Sequence, residues 1–180
     1  FIILLFLPCF LMAQTEEQTY ELIQIKSNFE IRYYPPAMMA EYNSQGDSSS
    51  GFGSLFRYIS GSNASGTKIN MTTPVHMEKQ DKGNSMAFVL PKKFNPENTP
   101  IPKENKVSVY QAQGGYYASI LYSGFTNTSK EKKYTAVLIQ NLKEEGIKIN
   151  GSPRVLVYDA PYKFINRRNE VLIPILWTSR

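Results

Sequence analysis

Phe52-Gly53-Ser54-Leu55-Phe56-Arg57-Tyr58-Ile59-Ser60-Gly61 is followed, after the polar turn Ser62 to Gly66, by Ile69-Asn70-Met71-Thr72-Thr73-Pro74-Val75-His76-Met77-Glu78. The apolar period changes between the two runs. In the first, Phe52, Leu55, Phe56 and Ile59 stand at i, i+3, i+4 and i+7, which is one face of an amphipathic helix. Ser48 to Ser50 offer N-caps before it, and Gly61 offers a left-handed stop after it. In the second, Ile69, Met71, Thr73, Val75 and Met77 alternate with Asn70, Thr72, Pro74, His76 and Glu78, the period of a half-buried strand. Met71 and Met77 are expected in the core, and His76 on the solvent side of the strand.

Upstream, Tyr20 to Ile25 and Phe29 to Tyr34 read as strands. Phe29, Ile31 and Tyr33 share one face and Glu30, Arg32 and Tyr34 the other. Pro35-Pro36 interrupts the run, Ala37 to Tyr42 resumes it, and Asn43 to Ser50 is a loop. Downstream, a turn at Asp81 to Asn84 returns the chain as Met86 to Leu90, and Pro91 to Asn105 reads as a connector. The pattern then recurs. Val107 to Tyr110 and Tyr116 to Tyr122 are strands, broken by Gly114-Gly115 where the first half has Pro35-Pro36. Thr128-Ser129-Lys130-Glu131 reads as a capping box opening a helix. Its buried stripe is Tyr134, Val137, Leu138 and Leu142, and Gly146 ends it. Arg154 to Tyr158 and Val171 to Ile175 close the chain. Strand, helix, strand, strand occurs twice. Antiparallel strands with one helix per half predict an α+β fold and not a doubly wound parallel sheet.

Phe1 to Met12 is an almost unbroken apolar run, too short for a membrane span, which needs ~20 residues. It reads as the core of a secretory signal that ends near Ala13. A lipid anchor at Cys9 is the alternative. The expected layout is a leader over 1–13, a flexible tail over 14–19, and one domain over 20–180 with halves at about 20–91 and 106–176. The lone cysteine is Cys9, so no disulfide is expected after processing, and the expected location is periplasmic or secreted.

Charge and residue usage narrow the chemistry. Lys plus Arg number 20 against 15 Asp plus Glu, but the cations are scattered rather than gathered with aromatics on one face, so nucleic acid is not the expected partner. His76 is the one histidine. A zinc site built from several histidines and a cysteine nucleophile are therefore both excluded. No Gly-x-Ser-x-Gly elbow and no phosphate loop occurs. The reading is a binding module rather than an enzyme. Phe and Met beside a short helix on a curved sheet suit a flat apolar ligand, with nearby cations for its carboxylates.

Leu55 to Asn63, Lys68 to Val75, Phe88-Val89-Leu90-Pro91 and Arg167-Arg168-Asn169-Glu170-Val171 together resemble the SOUL haem-binding protein family, over about Tyr20 to Ile175. The resemblance implies two pseudo-symmetric halves, each a curved antiparallel sheet with a helix, joined in a distorted antiparallel β-barrel. It implies reversible, non-covalent binding of haem or a related tetrapyrrole in a shallow groove against the first helix. The matching positions are Phe52, Leu55, Phe56 and Arg57, with Lys163 as a cation near the propionates. The histidine iron ligand of some members, near their N-terminal strands, has no counterpart. His76 is a different position, read as a surface histidine first and an iron ligand second. A monomeric carrier or buffer is expected, touching membrane only through an uncleaved leader or a lipid anchor. Another hydrophobic ligand, or a protein-interaction domain without ligand, stays open.

Overall fold

The computed structural model describes residues 15–44, 51–80 and 83–178. The expected leader, the caps at Ser48 to Ser50 and part of the Asp81 to Asn84 turn lie outside them. The elements are β1 (Glu16–Glu17), β2 (Glu21–Ile25), β3 (Glu30–Tyr34), β4 (Ala37–Ser44), α1 (Gly51–Ile59), β5 (Thr72–Thr73), β6 (Val75–Gln80) and β7 (Gly83–Val89). They continue as β8 (Val107–Ala112), β9 (Gly115–Ser123), α2 (Thr128–Glu144), β10 (Lys148–Ile149), β11 (Arg154–Val157) and β12 (Arg168–Leu176).

The repeat is β4-α1-β6-β7 and β9-α2-β11-β12. The main sheet runs β2-β3-β9-β12-β11-β6-β7-β4-β8, with β10 on β12. The halves meet where β6 and β11 pair antiparallel, Val75 opposite Val157 and Met77 opposite Val155. A second junction is made by long bent strands. Tyr34 opposes Gly115 and Ala37 opposes Ala112, so the register of β3 on β9 continues unbroken into β4 on β8. Pro35-Pro36 bends one strand and Gly114 the other. A Cβ at Gly114 would stand 2.7 Å from the Tyr33 hydroxyl and 3.0 Å from Pro36, so the close approach requires glycine. Each half's leading strand thus pairs with the other half, and the sheet curls into a distorted α+β barrel.

Both helices pack on the outer face. Under α1, Leu55, Tyr58 and Ile59 join Met38, Ala40, Tyr42 and Phe88. Under α2, Leu138 and Leu142 join Ile31, Ala118, Ile120, Val171 and Ile173. Each such fully buried aliphatic side chain contributes about 1.5–3 kcal/mol. Gly61, at φ +108, ends the first helical segment as expected.

The inner face is polar at its centre. Glu170 is 1% exposed and accepts from Arg32 Nη1 (2.6 Å), Arg168 Nε (3.0 Å), Ser119 Oγ (3.0 Å) and the Tyr158 hydroxyl (3.1 Å). Tyr20 lies under the Arg32 guanidinium at 4.1 Å. The signature Arg167 to Val171 near the C-terminus is therefore scaffolding. Glu170 is the hub, and Arg168 neutralises it. Asn169 donates to the Gly124 carbonyl (2.7 Å), and Arg167 holds the loop before β12.

Several expectations are corrected. Residues 16–19 are no loose tail: β1 pairs with β5, Gln18 N donates to Thr73 O (2.7 Å), and Glu17 accepts from Arg168 (2.7 Å). Ile69 to Met71 is not strand. Ile69 instead donates its N–H to the Ile59 carbonyl, so the chain leaves α1 before it reaches the sheet. The cap of α2 is Asn127, which accepts from Lys130 N (2.9 Å), rather than the box at Thr128. Val137 is exposed, because α2 turns the Tyr134–Leu138–Leu142 line to the sheet.

Candidate functional site

Between the two helical cores the outer face is incompletely covered. Its floor is three adjacent strands with side chains two residues apart on one face: Met86 and Phe88 of β7, Met77 and Val75 of β6, Val155 and Val157 of β11. The Met end, toward α2, is a cavity of about 390 Å³ lined also by Tyr42, Gly51, Ala136 and Ile139, with Lys79, Lys132 and Glu131 at its rim. That volume lies within the range of small-ligand sites.

The other end carries the aromatic wall. Phe52 and Phe56 are 46% and 50% exposed, stack with ring centroids 6.0 Å apart, and Phe52 meets Phe88 edge-on at 5.4 Å. In the same row Phe88, Val75, Val157 and Asn169 stand on four neighbouring strands. Three strand spacings make ~14 Å. Beyond Asn169 come Gly124 and Phe125, whose ring is 6.1 Å from that of Phe164. We read this row as the floor of a trough bounded by the Phe pair on α1 and by Phe125 and Phe164, on the loops after β9 and before β12. Its width is comparable with a tetrapyrrole ring.

Helical periodicity placed Phe52 and Phe56 on the buried face with Leu55 and Ile59. The structure instead buries Gly51, Ser54, Leu55, Tyr58 and Ile59. The buried stripe is shifted round the helix because Tyr58 reaches inward to donate its hydroxyl to Pro100 O (2.8 Å). That rotation leaves Phe52 and Phe56 at the trough. Leu55, at 0% exposure, is corrected from a ligand contact to a core residue supporting them from below. Arg57 is exposed but donates to Glu104 Oε1 (2.8 Å) and Ser54 Oγ (3.0 Å). Its guanidinium pKa is raised by the Glu104 hydrogen bond. Lys163 sits on the loop of the second wall, 2.5 Å from Asp159. Exposed pairs of this kind are weak, so ligand carboxylates can compete for both cations.

His76 is corrected on two counts. It is buried, 6% exposed, and on the inner face, opposite the trough floor, so it cannot reach a ligand lying there. Its Nε2 lies 2.8 Å from Gln18 Oε1 and Nδ1 has no partner among the described residues. Burial, with Arg154 adding repulsion, lowers its pKa to about 3. The unfolded value is about 6.5. Between these values the unfolded chain binds a proton that the folded chain refuses, so stability is present above pH 6.5 and falls as the pH drops toward 3. His76→Gln is expected to flatten that limb of a pH-dependent unfolding curve. An unchanged limb would place the acid sensitivity elsewhere.

Sequence reasoning missed Met86, Ile139, Phe125 and Phe164. The first two were hidden because pairing between the halves, not local period, decides which residues border the seam. The last two lie in loops, where periodicity is silent.

A family model described as SOUL heme-binding protein matches residues 15–174. Heme-binding protein 2 of Homo sapiens is 28% identical over 159 residues, covering 80% of this chain and 76% of the relative. The Mus musculus protein of that name is 27% identical over 158 residues, with the same coverage. Among solved structures, the EcmrR C-terminal domain superposes with a TM-score of 0.61 at 12% identity, covering 83% of this chain and 98% of that one. A hydrolase from Listeria innocua gives 0.58 at 11%, covering 86% and 94%. At these identities the structural likeness is one of fold.

Proposed function

The chain belongs to the SOUL heme-binding protein family, and from that we propose that it binds haem or a related tetrapyrrole reversibly in the trough, as a non-catalytic carrier or buffer. The observation that carries this reading is the stacked, half-exposed pair Phe52 and Phe56 over an apolar floor. Such rings present flat apolar surface to a flat ligand. Val75 and Val157 lie beneath, Phe125 and Phe164 face them, and Arg57 and Lys163 are the cations within the walls. Haem supplies the conjugated macrocycle and iron, while the protein supplies apolar cover and charge for the propionates.

With His76 on the other face, binding rests on burial. Covering ~300 Å² of ligand and a similar area of protein, ~600 Å² in all, at ~25 cal/mol/Å² yields ~15 kcal/mol before association costs of roughly half that. Micromolar affinity is the expectation. Affinity of that order suits hand-over rather than permanent retention. Location in the cell envelope is part of the proposal and rests on the Phe1 to Met12 run; a monomeric state is proposed with it.

Titration with hemin tests it. A saturable one-to-one Soret change is expected, and iron-free protoporphyrin should compete with similar strength because no histidine lies in the trough. Absence of saturation would overturn the reading. The cavity at the Met end favours one rival, a smaller hydrophobic ligand seated there. Displacement of such a ligand without effect on hemin would separate the two ends.

A further inference from the structure

Tyr162, Phe164 and Ile165 are 79%, 74% and 75% exposed, the three most exposed large hydrophobic side chains among the described residues. They occupy four consecutive positions with Lys163. Single exposed apolar residues need no explanation, but a cluster does.

The loop that carries them is built. Arg167, 6% exposed, donates Nη1 to Ala160 O (2.7 Å) and Lys163 O (2.8 Å), and Nη2 to Asp159 O (3.2 Å). Arg168 N donates to Asp159 Oδ2 (2.6 Å), and Lys163 N to Ala160 O (3.1 Å). Asn166 takes the left-handed conformation, φ +52, that closes the turn. The ring of Phe125 stacks under the Arg167 guanidinium at 4.5 Å and is itself 47% exposed. A buried cation therefore fixes a protruding tip whose apolar side chains point into water. A cluster of large apolar side chains held in water by an ordered loop marks a site for an external apolar surface.

We propose that this tip inserts into the surface of a lipid bilayer that carries anionic headgroups. Aromatic rings beside a lysine suit the interfacial region, where rings sit at headgroup depth and the ammonium reaches up to the phosphates. Lys163 is the exposed cation of the tip, its pair with Asp159 is one that headgroup phosphates can replace, and the whole chain carries +5. Anionic lipid attracts such a surface. A convex tip of four side chains is also a poor match for a protein partner, since a standard interface covers about 800 Å² per side. The inference does not depend on which ligand occupies the trough. If both hold, the trough opens at the bilayer and an apolar ligand passes between them without crossing bulk water.

The test uses the full chain with phosphatidylcholine vesicles, with and without phosphatidylglycerol. Sedimentation with the anionic vesicles is expected. The Phe164→Ser/Ile165→Ser variant should bind at least roughly tenfold more weakly with an unchanged thermal midpoint, since both residues are exposed. A second arm uses Phe164→Trp with brominated lipids. New quenching relative to the unaltered chain, whose one tryptophan is Trp177, places position 164 in the bilayer. Failure to bind anionic vesicles overturns the proposal. So does equal binding by the double-serine variant, which would assign the affinity to the apolar N-terminal run or to scattered lysines. Absence of quenching at position 164 overturns it as well.

Discussion

Glu170→Ala is expected to lower the unfolding free energy by about 3–5 kcal/mol, because it removes the buried counter-charge of the Arg32 guanidinium and leaves it only Glu30, 35% exposed, at 2.6 Å. The side chain of Arg32 is only 5% exposed, and Glu170 is its buried partner at 2.6 Å. For a domain of this size the loss corresponds to a fall in thermal midpoint of roughly 10 °C or more. Glu170→Gln keeps a polar group for Ser119 and Tyr158 but not the charge, and should fall between the parent and the alanine variant. A control at Glu144, on the exposed side of α2 and bonded among the described residues to Gln140 alone, should shift stability by less than about 0.5 kcal/mol. Urea unfolding monitored by circular dichroism measures all three. A loss below about 1 kcal/mol for Glu170→Ala would mean that the network is not a keystone.

The same hub adds acid sensitivity. Burial pushes the Glu170 carboxyl up, but the Arg32 hydrogen bond and the charges of Arg32 and Arg168 outweigh it, so its pKa is lowered below the usual carboxylate range. A depressed carboxylate stabilises the fold above its unfolded pKa, and the contribution is lost as the pH falls through the folded value. Loss from Glu170 thus begins below about pH 4.5, whereas the loss from His76 begins near 6.5. The two are separable along one pH titration.

Phe56→Asp should weaken hemin binding by roughly 10–100-fold, the equivalent of one large apolar side chain's burial together with repulsion of the propionates. Phe56 is half exposed, so stability should move by no more than about 0.5 kcal/mol. That separation of affinity from stability distinguishes a ligand contact from a core residue. Leu55→Ala should do the reverse, costing about 2–5 kcal/mol of stability. If Phe56→Asp leaves affinity unchanged and Ile139→Asp reduces it, the ligand sits at the cavity end alone. Insensitivity to both would remove the trough as the binding site.

The short motifs that mark the family turn out to be largely structural. Thr72 donates its hydroxyl to the Val89 carbonyl and ties β5 to β7. Arg167 shapes a loop, Asn169 ties a second loop, and Glu170 centres a charge network. Family likeness therefore specifies the scaffold more directly than it specifies the ligand contacts. This is why Lys163 and Arg57 could be aligned by motif yet are found paired with Asp159 and Glu104.

Local sequence alone determined the kinds of element and their order. A helix's 3.6-residue period, a strand's period of two, and the breakers Pro35-Pro36, Gly61, Gly114 and Gly146 act within a few residues, so they can be read without the rest of the chain. The twofold strand-helix-strand-strand order, and with it the α+β class, follows from them. Only the tertiary structure decided which faces meet water. Both faces of a barrel strand are covered, one by a helix and one by the interior, so alternation could not tell that His76 and Arg32 point inward. The junction of β6 with β11 sets the apolar row between two helical cores. Rotation of α1 by its Tyr58 anchor then turns Phe52 and Phe56 toward it. Those outcomes depend on contacts between residues far apart in sequence, which no local period encodes.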